Sequence, residues 1–258
     1  MQSKPAKAFK FGYIIDRTFE SVYGIVVDKD DNLILAENSF LRMYNKDGKY
    51  VKECKLGENA WDIACHKKSG RIVIALQSNG VQFVDNFVAQ TKITVQYINN
   101  CLCVRWVDDS IYVGGYDSNF KSRINILDSN GRHISSVSSV SSVFSVYYIH
   151  HRDNNIYYTD YIKLYCIKKD GSNVFTFSSS DLKGIYGIDT DRQGNVYVVG
   201  SDSNNILRLS PDGQNSDIIM KKEDGISQPT TLCFSADFKK LFVSNGGGKQ
   251  VIVYNCEY

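Results

Sequence analysis

Residues 185–213, IYGIDTDRQGNVYVVGSDSNNILRLSPDG, hold three short strand patterns with their turns, and weaker copies of this unit recur along the whole chain. Ile188 is followed by the polar turn Asp191-Arg192-Gln193-Gly194-Asn195 and then by Val196-Tyr197-Val198-Val199. A second polar turn leads to Ile206-Leu207-Arg208-Leu209, and Pro211-Asp212-Gly213 turns the chain towards a fourth strand. Alternation of apolar and polar residues signals a strand because successive side chains leave opposite faces, and Asp-Gly between two such runs signals a tight hairpin. One four-stranded sheet of this size cannot bury its own faces, so it needs neighbours of the same kind.

The neighbours follow from sliding the pattern. Equivalents of Ile188 are read at Ile25, Ile63, Val104, Val146 and Leu232, which gives spacings of 38, 41, 42, 42 and 44 residues. Second strands open at Leu33, Ile72, Ile111, Ile156, Val196 and Leu241, and Gly48, Gly131, Gly171 and Gly213 mark turns into fourth strands. Six such repeats predict an all-β chain: a six-bladed β-propeller of four-stranded antiparallel blades, forming one domain over residues 1–258. The last repeat supplies only three strands, at 231–234, 240–244 and 250–254, while AFKFGYII at 8–15 is left over. That N-terminal run is expected to complete the last blade and close the ring.

The motif GIDTDRQGNVYVVGSDSNNILRLSPDG resembles an NHL repeat of the kind found at the C-terminus of tripartite-motif proteins, and QPTTLCFSADFKKLFVSNGGGKQVIVY resembles the closing blade of invertebrate members. The likeness is sharp in blades one, five and six. Blades three and four, with WVDDSIYVGG and HRDNNIYYTD, keep only the strand and turn skeleton. The resemblance implies a propeller that holds a target protein for a ubiquitin ligase whose RING, B-box and coiled-coil segments lie upstream. Some propellers of that family instead bind single-stranded RNA.

Composition narrows the partners. With 30 basic and 28 acidic residues the net charge is +2, which gives no general case for DNA, RNA or a membrane surface. The N-terminus MQSKPAKAFKFGY lacks the apolar core of a signal peptide, and no run approaches the roughly 18 apolar residues of a membrane span. A soluble, cytoplasmic and, in isolation, monomeric domain is expected. Seven cysteines form an odd set without paired spacing and read as reduced packing residues; Cys101-x-Cys103 alone is too little for a metal.

Catalytic chemistry finds little support, and neither a metal nor another cofactor is expected. The histidines at 66, 133, 150 and 151 fall after first strands or at a hairpin, away from the mouth used by propeller enzymes. Gly246-Gly247-Gly248-Lys249 sits between two strands, with no following helix dipole to hold a phosphate. Six-bladed propellers also include metal-dependent lactonases, in which channel carboxylates and amides hold a hard cation with about six oxygen ligands. Asp62 is the one carboxylate expected near the axis; Asp189 is expected to alternate away from it.

The repeats do converge on a rim. Two positions before each first-strand apolar residue stand Tyr23, Trp61, Leu102, Phe144, Tyr186 and Thr230. Equivalent positions lie at equal heights around a propeller axis, so four aromatics crowd one mouth. They either pack between blades or form a recognition surface. Asp62 replaces the glycine found at Gly24 and Gly187, to anchor a basic side chain or to cap a neighbouring loop. Loops at 37–39, 77–79, 116–121, 160–161, 201–204 and 245–249, the last containing Lys249, share that face and are rich in Asn, Ser and Gly, which suits adaptable hydrogen bonding. A protein partner is the first expectation. RNA is second, because Arg105, Lys121, Arg123, Lys163 and Lys249 are opposed by Glu37, Glu58, Asp62, Asp117, Asp160 and Asp202 on the same side. The tract ISSVSSVSSV at 134–143 reads as an extended strand with serines facing water, or as a phosphorylation tract.

Overall fold

The computed structural model describes residues 5–15, 18–137 and 145–258. These form six four-stranded antiparallel sheets, each built from consecutive strands except the last, and the sole helix among them is the short 3-10 turn Lys222–Asp224. The inner strands facing the central channel are Val22–Val27, Ala60–Cys65, Asn100–Val107, Tyr148–Arg152, Ile185–Thr190 and Thr231–Phe234. The expected six-bladed ring is therefore what the chain forms.

Closure takes the expected route. Strand Ala8–Ile14 pairs with Gln250–Glu257 as the outer strand of blade six, with Ala8 opposite Glu257 and Ile14 opposite Ile252. Beyond that pairing, the Ile15 N–H donates to the Val251 carbonyl at 3.0 Å and the Phe19 N–H to the Lys249 carbonyl at 2.9 Å. The two ends of the chain thus share one sheet.

A flat blade has two apolar faces, and each is buried against the next blade, so the core is six wedges and not one centre. The wedge between blades one and two holds Ile34, Leu41, Ile63 and Ile74; its counterpart between six and one holds Ile15, Phe19, Val22, Phe242, Val251 and Val253. Inner strands come so close that some positions exclude a side chain. A Cβ on Gly187 would stand 2.5 Å from the Thr231 Cα, which is why glycine is required there. The seven cysteines are all free thiols, and burial pushes Cys65 and Cys166 up to about 11 and Cys101 up to about 12.

One register differs from the sequence reading. Ile149, not Val146, pairs with Tyr158 at the level where Ile25 meets Leu35 and Ile188 meets Val198. The connection from blade three to blade four is longer than an even repeat would make it. All of the ISSVSSVSSV tract beyond Val137 lies outside the described residues, as does Phe144.

Candidate functional site

The rim is made by a backbone irregularity at the start of the inner strands. Pairing with the second strand slips by one residue at Tyr23, at Trp61 and at Leu102, and between Ile185 and Ile188 around Tyr186. A bulge leaves one residue outside the ladder and re-aims its side chain, here onto the mouth. In blade four the corrected register puts Tyr147 where Phe144 was expected, and its N–H donates to the Thr159 carbonyl at 2.9 Å.

These rings do not stand apart. Tyr23 and Trp61 lie 5.1 Å apart between centroids; Tyr147, Tyr161 and Tyr186 form a trio at 5.4, 5.6 and 6.2 Å. Tyr116 stacks on Phe120 at 5.6 Å, and Phe120 is 79% exposed. Tyr116 is near enough to Tyr147, and Tyr23 to Tyr186, for the first phenol to help hold the second's pKa up, although burial is the main cause in both. The result is a belt of three ring groups on one face: Phe120 with Tyr116, Tyr147 with Tyr161 and Tyr186, and Tyr23 with Trp61. The six Tyr and Trp side chains are half-buried, so each ring is braced by its neighbours and still presents an edge or a face to solvent.

Beside the trio lies a cavity of about 410 Å³ lined by Tyr161, Ile162, Ser178–Ser180, Leu182, Lys183, Gly184 and Asp202. Tyr161 takes a left-handed backbone, φ 77°, which is uncommon for a bulky residue, and its hydroxyl donates to Asp202 Oδ2 at 2.6 Å. Gly184 lets Asp202 approach, since a Cβ there would meet the carboxylate carbon at 2.7 Å.

Three of the rim residues expected from sequence serve the ring itself. Asp62 is turned inward: Oδ1 accepts from the Ile63 N–H at 2.8 Å, and Oδ2 accepts from the Val104 N–H of blade three at 3.0 Å. It thus caps a neighbouring strand, and burial pushes its carboxyl up to about 7. Thr230 is buried, donating its hydroxyl to the Val22 carbonyl at 3.1 Å and so joining blade six to blade one. Lys249 lends its carbonyl to Phe19 while its side chain stands exposed in the last loop.

Asp189 corrects a second expectation. It lines the channel and repeats the Asp62 device one step deeper, accepting from the Thr190 N–H and, across the blade boundary, from the Phe234 N–H, both at 2.8 Å. The inner edge of an innermost strand has no further strand to pair with, so its backbone donors need such partners. His150 lies alongside, with Nδ1 3.3 Å from Asp189 Oδ1 but not aligned to bond it; burial holds the imidazole well below its usual pKa.

The channel is closed beneath the rim. Tyr148 reaches across the axis from blade four and donates its hydroxyl to the Tyr23 carbonyl of blade one at 2.5 Å. What remains inside, between Asp62, Arg105, Asp189 and Cys233, is about 20 Å³, room for one water. Both channel carboxylates spend their oxygens on backbone donors and share the space with a guanidinium. This donor set does not fit a hard cation, and among the described residues no three His, Cys, Asp or Glu side chains converge.

The charges on the rim face divide unevenly. Glu37 and Glu53 hold Arg42, Glu58 holds Lys92 at 2.7 Å, and Asp117 holds Arg123 at 2.8 Å. Asp160 accepts from the Tyr165 hydroxyl at 2.8 Å and from the Ile162 and Lys163 N–H groups. Among the described residues, the ammonium groups of Lys121, Lys163, Lys183 and Lys249 have no carboxylate within ion-pair distance.

Comparison with known proteins supports the fold and leaves the site unassigned. No protein-family model matches the sequence, and no curated protein matches it. Among solved structures, a Bacteroides thetaiotaomicron structural-genomics protein of unknown function is similar with a TM-score of 0.76 and 14% identity, over 98% of this chain and 73% of that one. No helix among the described residues is long and apolar enough to cross a membrane.

Proposed function

We propose that this propeller is a non-catalytic recognition domain that holds a protein partner on its aromatic face. The observation that carries this reading is the belt: a row of braced, half-exposed Tyr and Trp side chains with Phe120 at its end and a cavity at its flank. Rigid aromatic anchors contribute large contact area at small entropic cost, which is why Trp and Tyr dominate binding hot spots. The resemblance of the repeats to NHL blades supports a place in the cytoplasm as the target-recognition part of a tripartite-motif ubiquitin ligase. In that assembly the propeller binds, and a RING domain elsewhere performs the transfer.

Single-stranded RNA is the second reading, favoured by four lysines that have no ion-pair partner among the described residues, around rings on which bases stack. A lactonase-like reaction in the channel is disfavoured by the Tyr148 closure and by carboxylates already engaged with the backbone.

The test is capture of partners from a cell extract by the wild-type domain, Trp61→Ala and Tyr186→Ala, with a parallel salt titration against mixed-sequence RNA. The recognition reading expects a protein whose binding each variant weakens by about 2 kcal/mol or more while the fold survives. RNA binding that falls steeply with salt, with no protein lost in the variants, would replace it.

A further inference from the structure

The face around the belt is unbalanced in hydrogen-bonding capacity, and the imbalance specifies a ligand. Most of its carboxylates are occupied: Glu37 by Arg42, Glu58 by Lys92, Asp117 by Arg123, Asp160 by Tyr165, Asp202 by Tyr161 and Glu20 by the Asn38 amide, while Asp181 stands exposed between Ser180 and Leu182 of the cavity lining. Its donors are not. Besides the four lysines, the hydroxyls of Tyr23, Tyr147 and Tyr186 make no hydrogen bond among the described residues, though each ring is fixed by its aromatic neighbours. The complement of such a face is rich in acceptors, poor in donors, and extended enough to lie along a row of rings.

We infer that the belt binds an extended, proline-rich protein segment flanked by acidic residues; the inference rests on the protein-recognition reading above. Proline has no backbone N–H, so a polyproline II segment presents carbonyl oxygens without donors that would go unmet on this face. Its pyrrolidine rings pack on tyrosine and tryptophan, and its preformed shape keeps the ordering cost low, which is how aromatic-lined grooves take such segments elsewhere. The tyrosine hydroxyls donate to its carbonyls, and Lys121, Lys163, Lys183 and Lys249 receive the acidic flanks. Addition as a further β-strand is not the mode here, because the belt offers side chains and no sheet edge.

The test is fluorescence anisotropy of the whole chain with a labelled peptide of roughly 12 residues, with a proline-rich centre and aspartate flanks. Comparison probes carry glycine for proline, or lysine for aspartate, and a single-stranded RNA of similar length is titrated alongside. Saturable binding of the first peptide is expected, weakened about tenfold or more by either peptide change and about fivefold by each of Tyr147→Phe and Tyr186→Phe. Lys163→Gln with Lys249→Gln should weaken binding and flatten its salt dependence. Unfolding midpoints report whether each variant is folded, and hydroxyl removal at Tyr147 or Tyr186 leaves no fold contact broken. Indifference to the proline-to-glycine change, or RNA displacing the peptide with higher affinity, overturns the inference. If the extract partner is lost in Trp61→Ala but the peptide neither binds nor competes, the recognition reading stands and this inference falls. If neither depends on the belt, both fall.

Discussion

Asp62 sets two physical effects against each other, and replacing it by asparagine decides between them. Two backbone N–H bonds favour the carboxylate and lower its pKa, whereas burial favours the neutral acid and raises it. Burial wins, moving the group from its usual 3.8 up to about 7. Because the folded pKa lies above the unfolded one, the folded state holds a proton between those values that the unfolded chain has released. Stability from this group is therefore greatest below the unfolded pKa and is lost as pH rises towards 7, by about 4 kcal/mol in all. Asp62→Asn removes the titration and keeps the shape, with one carbonyl still accepting. Urea unfolding of both proteins, followed by circular dichroism at intervals from pH 4 to pH 8, reads the difference and cancels other titrating groups. The wild type should lose about 4 kcal/mol relative to the variant across that range. Parallel curves, or a wild type that gains on the variant as pH rises, would show that the hydrogen bonds outweigh burial and refute the reasoning.

Three further perturbations test the frame. Ile15→Ala opens the fully buried wedge where the N-terminal segment meets blade one and should cost about 3 kcal/mol by urea unfolding, while Ile14→Ala, at a position 40% exposed, should cost less than about 1. Tyr148→Phe removes the hydroxyl that bonds the Tyr23 carbonyl across the axis and should lower stability by about 1 to 2 kcal/mol in the same assay. Gly187→Ala drives a methyl against the Thr231 backbone and should cost about 3 kcal/mol, whereas Gly194→Ala, 3.8 Å from its nearest neighbour but at φ 85°, should cost about 1.

Turn chemistry made the ring legible before any coordinates, since each blade announces its hairpins with Gly, Asp and Asn between alternating runs. Where those signals fade, the reading slipped: the serine-valine tract before blade four carries no Gly, Pro, Asn or Asp, and even spacing put Val146 where Ile149 belongs. Tyr23, Trp61 and Tyr186 were found because a bulge recurs at one repeat position. Tyr116 closes the strand Ser110–Tyr116, and Phe120 and Tyr161 stand in loops whose direction no periodicity reports, although those loops could be placed on the right face. Asp62 was expected near the axis, where it lies, whereas Asp189 was misjudged for an identifiable reason. Alternation tells which side of a strand a residue leaves, but not that an innermost strand has unpaired backbone donors for a short carboxylate to seek across a blade boundary.

The shared last blade also sets how the ring answers to force. Ala8 and Glu257 face each other at the same end of an antiparallel pair. Tension drawing those two points apart loads the ladder one rung at a time, peeling it from Ala8 towards Ile14, instead of straining every rung together. The seam that keeps the ring shut against thermal motion is therefore compliant to a pull between its own two strands. Beneath it, the Ile15 and Phe19 anchorage in the blade six to blade one wedge is where resistance to such a pull begins.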